Sequence, residues 1–211
     1  MSIHLMKRIF VISIFVLTIS CGPKPFKTEW TKEVSPEKYS VHFETSRGNF
    51  DVAVERSLSP KAADRFYQLV RHNYFENMLF YRVVPDFVAQ FGTADSIVLN
   101  NWISTKIPDE KVIQGNQRGT VSFARAGVET RGTDLFINLG DNRRLDTLSY
   151  NGVTGFPSFG KVTAGMQVLD SIYSGYADQT MGDYAMMQKD KMEFLRKYPE
   201  LDSIYTAYIL K

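Results

Sequence analysis

Two periods organise the hydrophobic positions of this chain. Tyr39, Val41 and Phe43 alternate with Ser40, His42 and Glu44, and Phe50, Val52 and Val54 resume the alternation after Ser46-Arg47-Gly48-Asn49. A spacing of two puts each set on one strand face, so the pattern predicts a hairpin with one buried side. The period then changes. Ser59-Pro60 offers an N-cap and a proline at the first helical position, and Ala62, Ala63, Phe66, Leu69 and Val70 form a helical stripe ending near Asn73. Two β-type runs follow, 79–84 and 87–91, parted by Pro85-Asp86, which turns the chain because proline lacks a ladder donor. Residues 97–118 are weakly patterned and read as a surface excursion. Strands are predicted over 119–126, 135–139 and 160–162, and helices over 165–173 and 184–197, the latter stopping ahead of Pro199. Leu201, Ile204, Tyr205, Tyr208 and Ile209 carry helical spacing, and a closing strand fits there as well. Many short strands with few helices predict a mainly β fold, a closed or nearly closed antiparallel barrel.

The first residues follow a different pattern. Lys7-Arg8 precedes an uncharged, mainly apolar stretch over 9–19, short for a membrane span and suited to the core of a secretory signal. Cys21 is the single cysteine, so no intramolecular disulfide forms. Leu17-Thr18-Ile19-Ser20-Cys21 resembles the lipobox of bacterial lipoproteins, in which the cysteine is acylated, although Thr18 stands where a branched apolar residue is usual. The expected organisation is a lipoprotein signal peptide over 1–20, a proline-bearing tether over 21–38 and one domain over 39–211. Composition changes this picture little. The chain has 211 residues, 44% hydrophobic, enough for one domain with an ordinary core. Lys7 and Arg8 account for the whole net charge of +2, so the body is neutral and nucleic acid is not an expected partner. His4, His42 and His72 lack metal-like spacing with any carboxylate or thiol, so no metal and no cofactor is expected.

The chemistry concentrates in residues 80–92, Phe-Tyr-Arg-Val-Val-Pro-Asp-Phe-Val-Ala-Gln-Phe-Gly. Alternation places Phe80, Arg82 and Val84 on one face of their strand, and likewise Val88 and Gln90 on one face of theirs. Arg82 and Gln90, framed by Phe87 and Val88, would make an apolar seat with hydrogen-bond donors at its rim, suited to an apolar ring attached to an amide. Strand periodicity alone equally allows an edge strand with a solvated arginine. Asp141, Asp146 and Asp170 read as surface carboxylates, and the methionines from Met181 to Met192 as helix packing.

With these segments placed, the chain resembles the cyclophilin-type peptidyl-prolyl cis-trans isomerases. The central run resembles the family's Phe-His-Arg, Pro-Gly-Phe and Gln-Gly-Gly motif. Gly119-Thr120-Val121-Ser122-Phe123-Ala124-Arg125, Asp134-Leu135-Phe136-Ile137-Asn138, Asn142-Arg143-Arg144-Leu145-Asp146 and Phe159-Gly160-Lys161-Val162 resemble further family blocks in the family's order. The resemblance covers about 39–173. It implies an eight-stranded barrel capped by two helices, with the active site on its outer face and a helical C-terminal extension over 175–211. By position it implies Arg82, Gln90 and Phe87 as catalytic residues, and Val88, Ala124, Arg125, Asp134, Phe136, Leu145 and Phe156 along the bound substrate. Asp134 stands where the family has glutamine, Arg144 where many members have tryptophan, and Phe156 where many have histidine. Asp134 shares a strand face with Phe136 and Asn138, which would set its carboxylate beside Arg82.

The activity so implied is rotation about X-Pro bonds of exported or envelope proteins, assisting their folding. The expected partners are unfolded or Pro-containing polypeptides and a membrane, held through a lipid on Cys21. The expected location is a bacterial cell envelope with a monomeric domain in the periplasm. Two other readings use the same residues: a non-catalytic peptide-binding chaperone with the same groove, and an envelope adaptor lipoprotein acting through 175–211.

Overall fold

The computed structural model describes residues 25–211. The signal segment and Cys21 lie outside the described residues. The strands are β1 (Lys38–Thr45), β2 (Gly48–Glu55), β3 (Met78–Val84), β4 (Val88–Phe91), β5 (Thr120–Phe123), β6 (Leu135–Asn138), β7 (Ser149–Tyr150), β8 (Val153–Thr154), β9 (Ser158–Ala164) and β10 (Ser203–Ile209). The helices are α1 (Pro60–Arg71), α2 (Ser96–Ile103), α3 (Arg144–Thr147), α4 (Met166–Asp170), α5 (Tyr184–Lys189) and α6 (Lys191–Lys197). Apart from the small β7–β8 hairpin, the strands close an eight-stranded antiparallel barrel in the order β1-β10-β3-β4-β6-β5-β9-β2.

The inner face is aromatic and full. Phe43 stacks on Phe50 with ring centres 4.6 Å apart, and Phe66 of α1 reaches Phe159 of β9 at 5.2 Å. All four are buried, and such rings contribute roughly 0.5–1.5 kcal/mol per pair beyond area burial. An eight-stranded barrel is just wide enough for its own side chains, so a ligand must bind outside.

Several local expectations resolve differently. Ser59 precedes α1, but its hydroxyl does not cap the helix. Glu110 does so instead, accepting from the Lys61 and Ala62 amides at 2.9 and 3.3 Å. Glu110 also accepts from the buried Arg131 at 3.0 Å, so the 97–118 excursion is fastened to α1 rather than loose. Arg65 adds bonds to the Trp102 and Thr105 carbonyls at 3.1 and 2.7 Å. Its burial lowers its pKa to about 10.

The described part of the expected tether, 25–37, is docked. Phe26 and Trp30 pack against the main core, Trp30 stacks on His72 at 3.9 Å, and Ser35 is buried against Asp64. Two aromatic rings outweigh the extended bias of the prolines, a contribution that composition hides.

The segment after α4 carries the expected helices, but the run read as one helix breaks at Asp190 (φ −149°, ψ 89°). Its side chain accepts from the Glu193 amide at 2.9 Å and starts α6 as a new helix. The last residues form the alternative strand. β10 pairs with β1 along most of its length and with β3 at Ser203 and Ile204, closing the barrel. Residues 171–201 are therefore an insertion between α4 and the final stave.

That insertion has its own core against the outer face of β3, formed by Leu79, Tyr81, Met187, Phe194 and Tyr198. A polar knot secures it. Asp134 accepts from Tyr81 Oη at 2.9 Å and Tyr184 Oη at 2.8 Å, and from the Thr93 hydroxyl. Although Asp134 as a residue is only partly buried, its carboxylate is enclosed by these hydroxyls. Burial pushes its pKa up, against the opposing pull of the three bonds.

Two outcomes follow from this packing. Ile204 is fully buried in β10, so Ile204→Ala should cost about 2–5 kcal/mol in chemical denaturation, and a loss below 1 kcal/mol would contradict its role in closure. For Asp134, a raised folded pKa means that the folded state binds more protons than the unfolded chain between about pH 4 and the folded value. The group's stability is fully present below about pH 4 and declines as pH rises through that window. The melting temperature of Asp134→Asn relative to the parent should therefore rise with pH from about 4 upward. A difference independent of pH would refute the enclosed carboxylate.

Candidate functional site

The outer face of β3 and β4 presents the polar pair singled out in the sequence. Phe80 pairs with Phe91 and Arg82 with Gln90, so two residues of β3, Tyr81 and Arg82, oppose one of β4. This bulge changes the expected facing. Phe80 and Val83 point into the barrel core, while Tyr81 joins the outer cluster and Arg82 stands at the surface. Phe80 and Arg82 thus do not share a face, because an extra residue resets the alternation.

Arg82 Nη1 donates to Gln90 Oε1 at 3.2 Å, and Nε donates to Asp178 Oδ1 at 2.6 Å. Its guanidinium carbon lies 5.4 Å from the centre of the Phe87 ring, and that of Arg144 4.7 Å from the same ring. Neither Arg82 Nη2 nor Gln90 Nε2 has a hydrogen-bond partner among the described residues. Beside them Val88, Phe136 and Leu145 form a small apolar cluster, extended by Phe87, Ala124 and Phe156. Phe136 meets Phe156 edge to face at 5.9 Å. These residues, with Arg82, Gln90, Arg125 and Met181, line a cavity of about 240 Å³. The cavity mouth is apolar at its base with donors on its lip. A larger hollow of about 580 Å³ between Trp30, Trp102 and Met187 contains none of these residues.

Arg125 forms the far wall. Its side chain is 1% exposed, bonds Asp109 at 3.0 Å and lies 5.1 Å from the Phe156 ring centre. Burial draws its pKa down, against the upward pull of Asp109. The structure thus gathers nine of the expected site residues: Arg82, Phe87, Val88, Gln90, Ala124, Arg125, Phe136, Leu145 and Phe156.

Asp134 is the exception. It turns to Tyr81, Thr93 and Tyr184 and makes no ion pair with Arg82. Tyr81 follows the inward-facing Phe80 and so points outward by ordinary alternation, where its hydroxyl claims the carboxylate. Arg82 takes its carboxylate from Asp178 instead. Among the described residues no group of three His, Cys, Asp or Glu side chains is placed to hold a metal ion.

An amide network that the sequence reading missed holds the walls. Asn142 Nδ2 donates to the Phe87 carbonyl at 2.7 Å and to Asn138 Oδ1 at 2.8 Å. Asn138 Nδ2 reaches Asn116 Oδ1 at 3.2 Å, and Asn116 Nδ2 donates to Asp146 Oδ1 at 2.7 Å and to the Phe156 carbonyl at 2.8 Å. Asn116, Asn138 and Asn142 are all buried. Asp146, read as a surface carboxylate, is a half-buried member of this network because it must satisfy Asn116. Short polar residues in loops look like turn formers, and only the fold brings them together. Asp86 sits in the β3–β4 turn at φ 58°, a conformation aspartate tolerates, and the Phe87 amide closes that turn on the Val84 carbonyl at 3.1 Å.

Comparison with known proteins now places the chain. Residues 40–196 match the family model described as cyclophilin type peptidyl-prolyl cis-trans isomerase/CLD. A peptidyl-prolyl cis-trans isomerase of Arabidopsis thaliana is 33% identical over 66% of this chain and 84% of its own length. One from Acinetobacter baylyi is 28% identical over 79% of this chain and 87% of its own. Among solved structures, a cyclophilin type isomerase of Cryptosporidium parvum shares the fold with a TM-score of 0.58 and 21% identity, over 82% of this chain and 98% of its own. That protein has also been crystallised in the presence of the dipeptide Ala-Pro, with a TM-score of 0.57 to this chain. The family model spans the barrel strands from β1 to β9 and the cavity between them, and the chain belongs to the cyclophilin-type peptidyl-prolyl cis-trans isomerases.

Proposed function

We propose that the cavity beside Arg82 seats the proline ring of exported or envelope polypeptides, and that the chain works from a lipid anchor on Cys21. The observation that carries the site assignment is Arg82 at the lip of an apolar cavity, paired to Gln90 with Nη2 unengaged.

The reaction breaks no σ-bond. Its barrier, about 18–20 kcal/mol, arises from amide resonance, which the twisted transition state gives up. As the imide nitrogen pyramidalises, a lone pair appears, and a guanidinium beside the ring can hydrogen-bond it. That interaction exists only in the transition state, so it raises turnover rather than mere affinity. Arginine suits the role because it stays charged and holds its donors in a rigid fork. Phe87, Val88, Phe136, Leu145 and Phe156 hold the ring, and Gln90 Nε2 donates to a neighbouring carbonyl, so rotation is confined to one bond. Neither a nucleophile nor a proton transfer is needed.

The envelope setting rests on the sequence alone: Lys7-Arg8, the apolar run over 9–19 and the unpaired Cys21. Uncatalysed X-Pro isomerisation takes tens to hundreds of seconds, slow enough to limit folding of exported chains.

Arg82→Ala should preserve the thermal transition and lower kcat/KM on an Ala-Pro peptide by about 10²–10³. Near-normal turnover in a folded variant would remove Arg82 from the mechanism. Cys21→Ser should shift the protein from the membrane to the soluble fraction or leave it unprocessed, because acyl chains anchor by about 0.8 kcal/mol per buried methylene. Unchanged mass and membrane association in that variant would dismiss the anchor.

A further inference from the structure

The insertion between α4 and β10 enters the site. Its 3₁₀ turn, Gln179–Asp183, runs beside the cavity, and Met181 forms part of the wall. Immediately ahead, Asp178 accepts from Arg82 Nε at 2.6 Å. The segment is held from behind. Asp183 accepts from Lys197 Nζ at 2.5 Å and Tyr198 Oη at 2.6 Å, and Thr180 is buried. Tyr184 joins the Asp134 knot, and the turn amides of Ala177 and Met181 bond the Ser174 and Asp178 carbonyls at 3.1 Å each. Asp178 is thus an exposed carboxylate on a fixed support.

We propose that Asp178 is a positioning residue for prolyl isomerisation at this site. Its carboxylate grips Arg82 Nε while Gln90 grips Nη1, and Nη2 of this cavity-lining arginine is left without a partner among the described residues. Met181 completes the apolar wall on the same side. The proposal rests on the isomerase reading of the cavity.

Two effects of a carboxylate beside the working guanidinium oppose each other. It offsets charge that the transition state uses, and it removes rotational freedom from a long side chain before the substrate arrives. Asp178 is 65% exposed at its side chain, so water and salt screen the charge effect. A directed 2.6 Å hydrogen bond survives that screening, and orientation wins.

The test measures prolyl isomerisation of an Ala-Pro peptide by the mature full-length chain, by two Asp178 variants, and by Arg82→Ala with and without Asp178→Ala. Asp178→Ala should lower kcat roughly two- to fivefold, the range of an exposed charged pair, with KM and the thermal transition little changed. Asp178→Asn, which keeps a carbonyl acceptor for Nε, should recover most of that loss. In the Arg82→Ala background, Asp178→Ala should have no further effect, because its partner is gone. Independently of activity, the Nε–Hε NMR resonance of Arg82 should move in Asp178→Ala and far less in Asp178→Asn. The proposal falls if Asp178→Ala turns over at or above the parent rate. It also falls if Asp178→Asn is as slow as Asp178→Ala, or if the Asp178 effect persists without Arg82. A folded parent with no turnover brings down the isomerase reading together with the proposal. A parent that turns over and ignores Asp178→Ala brings down the proposal alone.

Discussion

Between Phe80 and Arg82, β3 runs one residue longer than the stretch of β4 it faces, and the site rests on that residue. A strict alternation would send Arg82 inward after Phe80, into a core already filled by Phe43, Phe75 and Phe91. Burying an unpaired guanidinium there is prohibitive. Tyr81 already faces outward after Phe80, and the bulge turns Arg82 out beside it while returning Val83 to the core. Arg82 then meets Gln90 across the ladder, and Tyr81 becomes the platform for Met187, Phe194 and Tyr198 and a donor to Asp134. Bulges re-aim side chains, and this one re-aims Arg82 outward and Val83 inward.

This is also where sequence reading loses its hold. The β1–β2 hairpin was legible because one buried face imposes a strict period, and the register pairs Val41 with Val52 and Phe43 with Phe50 as alternation demands. Val88 and Gln90 were legible for the same reason, since alternation along β4 sets them on one face, whereas Phe136, opposite Gln90 on β6, was pointed to by the family resemblance. Leu145 and Phe156 lie in a short helix and a loop, so only the family resemblance pointed to them. Asp134 was misplaced because its strand face was right and its neighbour was wrong: a face contains several partners along its length, and periodicity does not choose among them. Asp178 carries no periodic signal and lies 96 residues from Arg82 in the chain. The docked segment 25–37 was hidden in another way, since prolines dominate its local bias while two aromatic rings decide its position.

The insertion also bears on how the barrel closes. β10 follows the insertion and supplies a stave between β1 and β3, so residues 171–201 must leave the barrel and return to it. Such a detour costs loop-closure entropy that rises only slowly with length, and a compact core of its own offsets that cost. Leu79 and Tyr81 belong at once to a barrel strand and to that second core. The insertion is therefore built on the outer side of the strand that carries Arg82, which is why one of its carboxylates reaches the cavity.

Rigidity matters more to this reaction than to one with a bond to break. In the proposed mechanism no covalent intermediate lowers the barrier, so the protein would act through geometry fixed in advance, and a wall displaced by an ångström would waste the transition-state hydrogen bond. The amide network meets that demand economically. The Phe87 carbonyl accepts from both the Leu139 amide at 2.8 Å and Asn142 Nδ2 at 2.7 Å, which fixes the aromatic lip from behind. Asn116 ties Asp146, adjacent to Leu145, to the carbonyl of Phe156, so two further walls share one side chain. Asn138 joins the halves through Asn116 and Asn142. Removing any of the three asparagines leaves buried partners unsatisfied at about 1–3 kcal/mol. Their replacement therefore reaches Phe87, Leu145 and Phe156 together, and the cavity behaves as one unit rather than as a set of independent contacts.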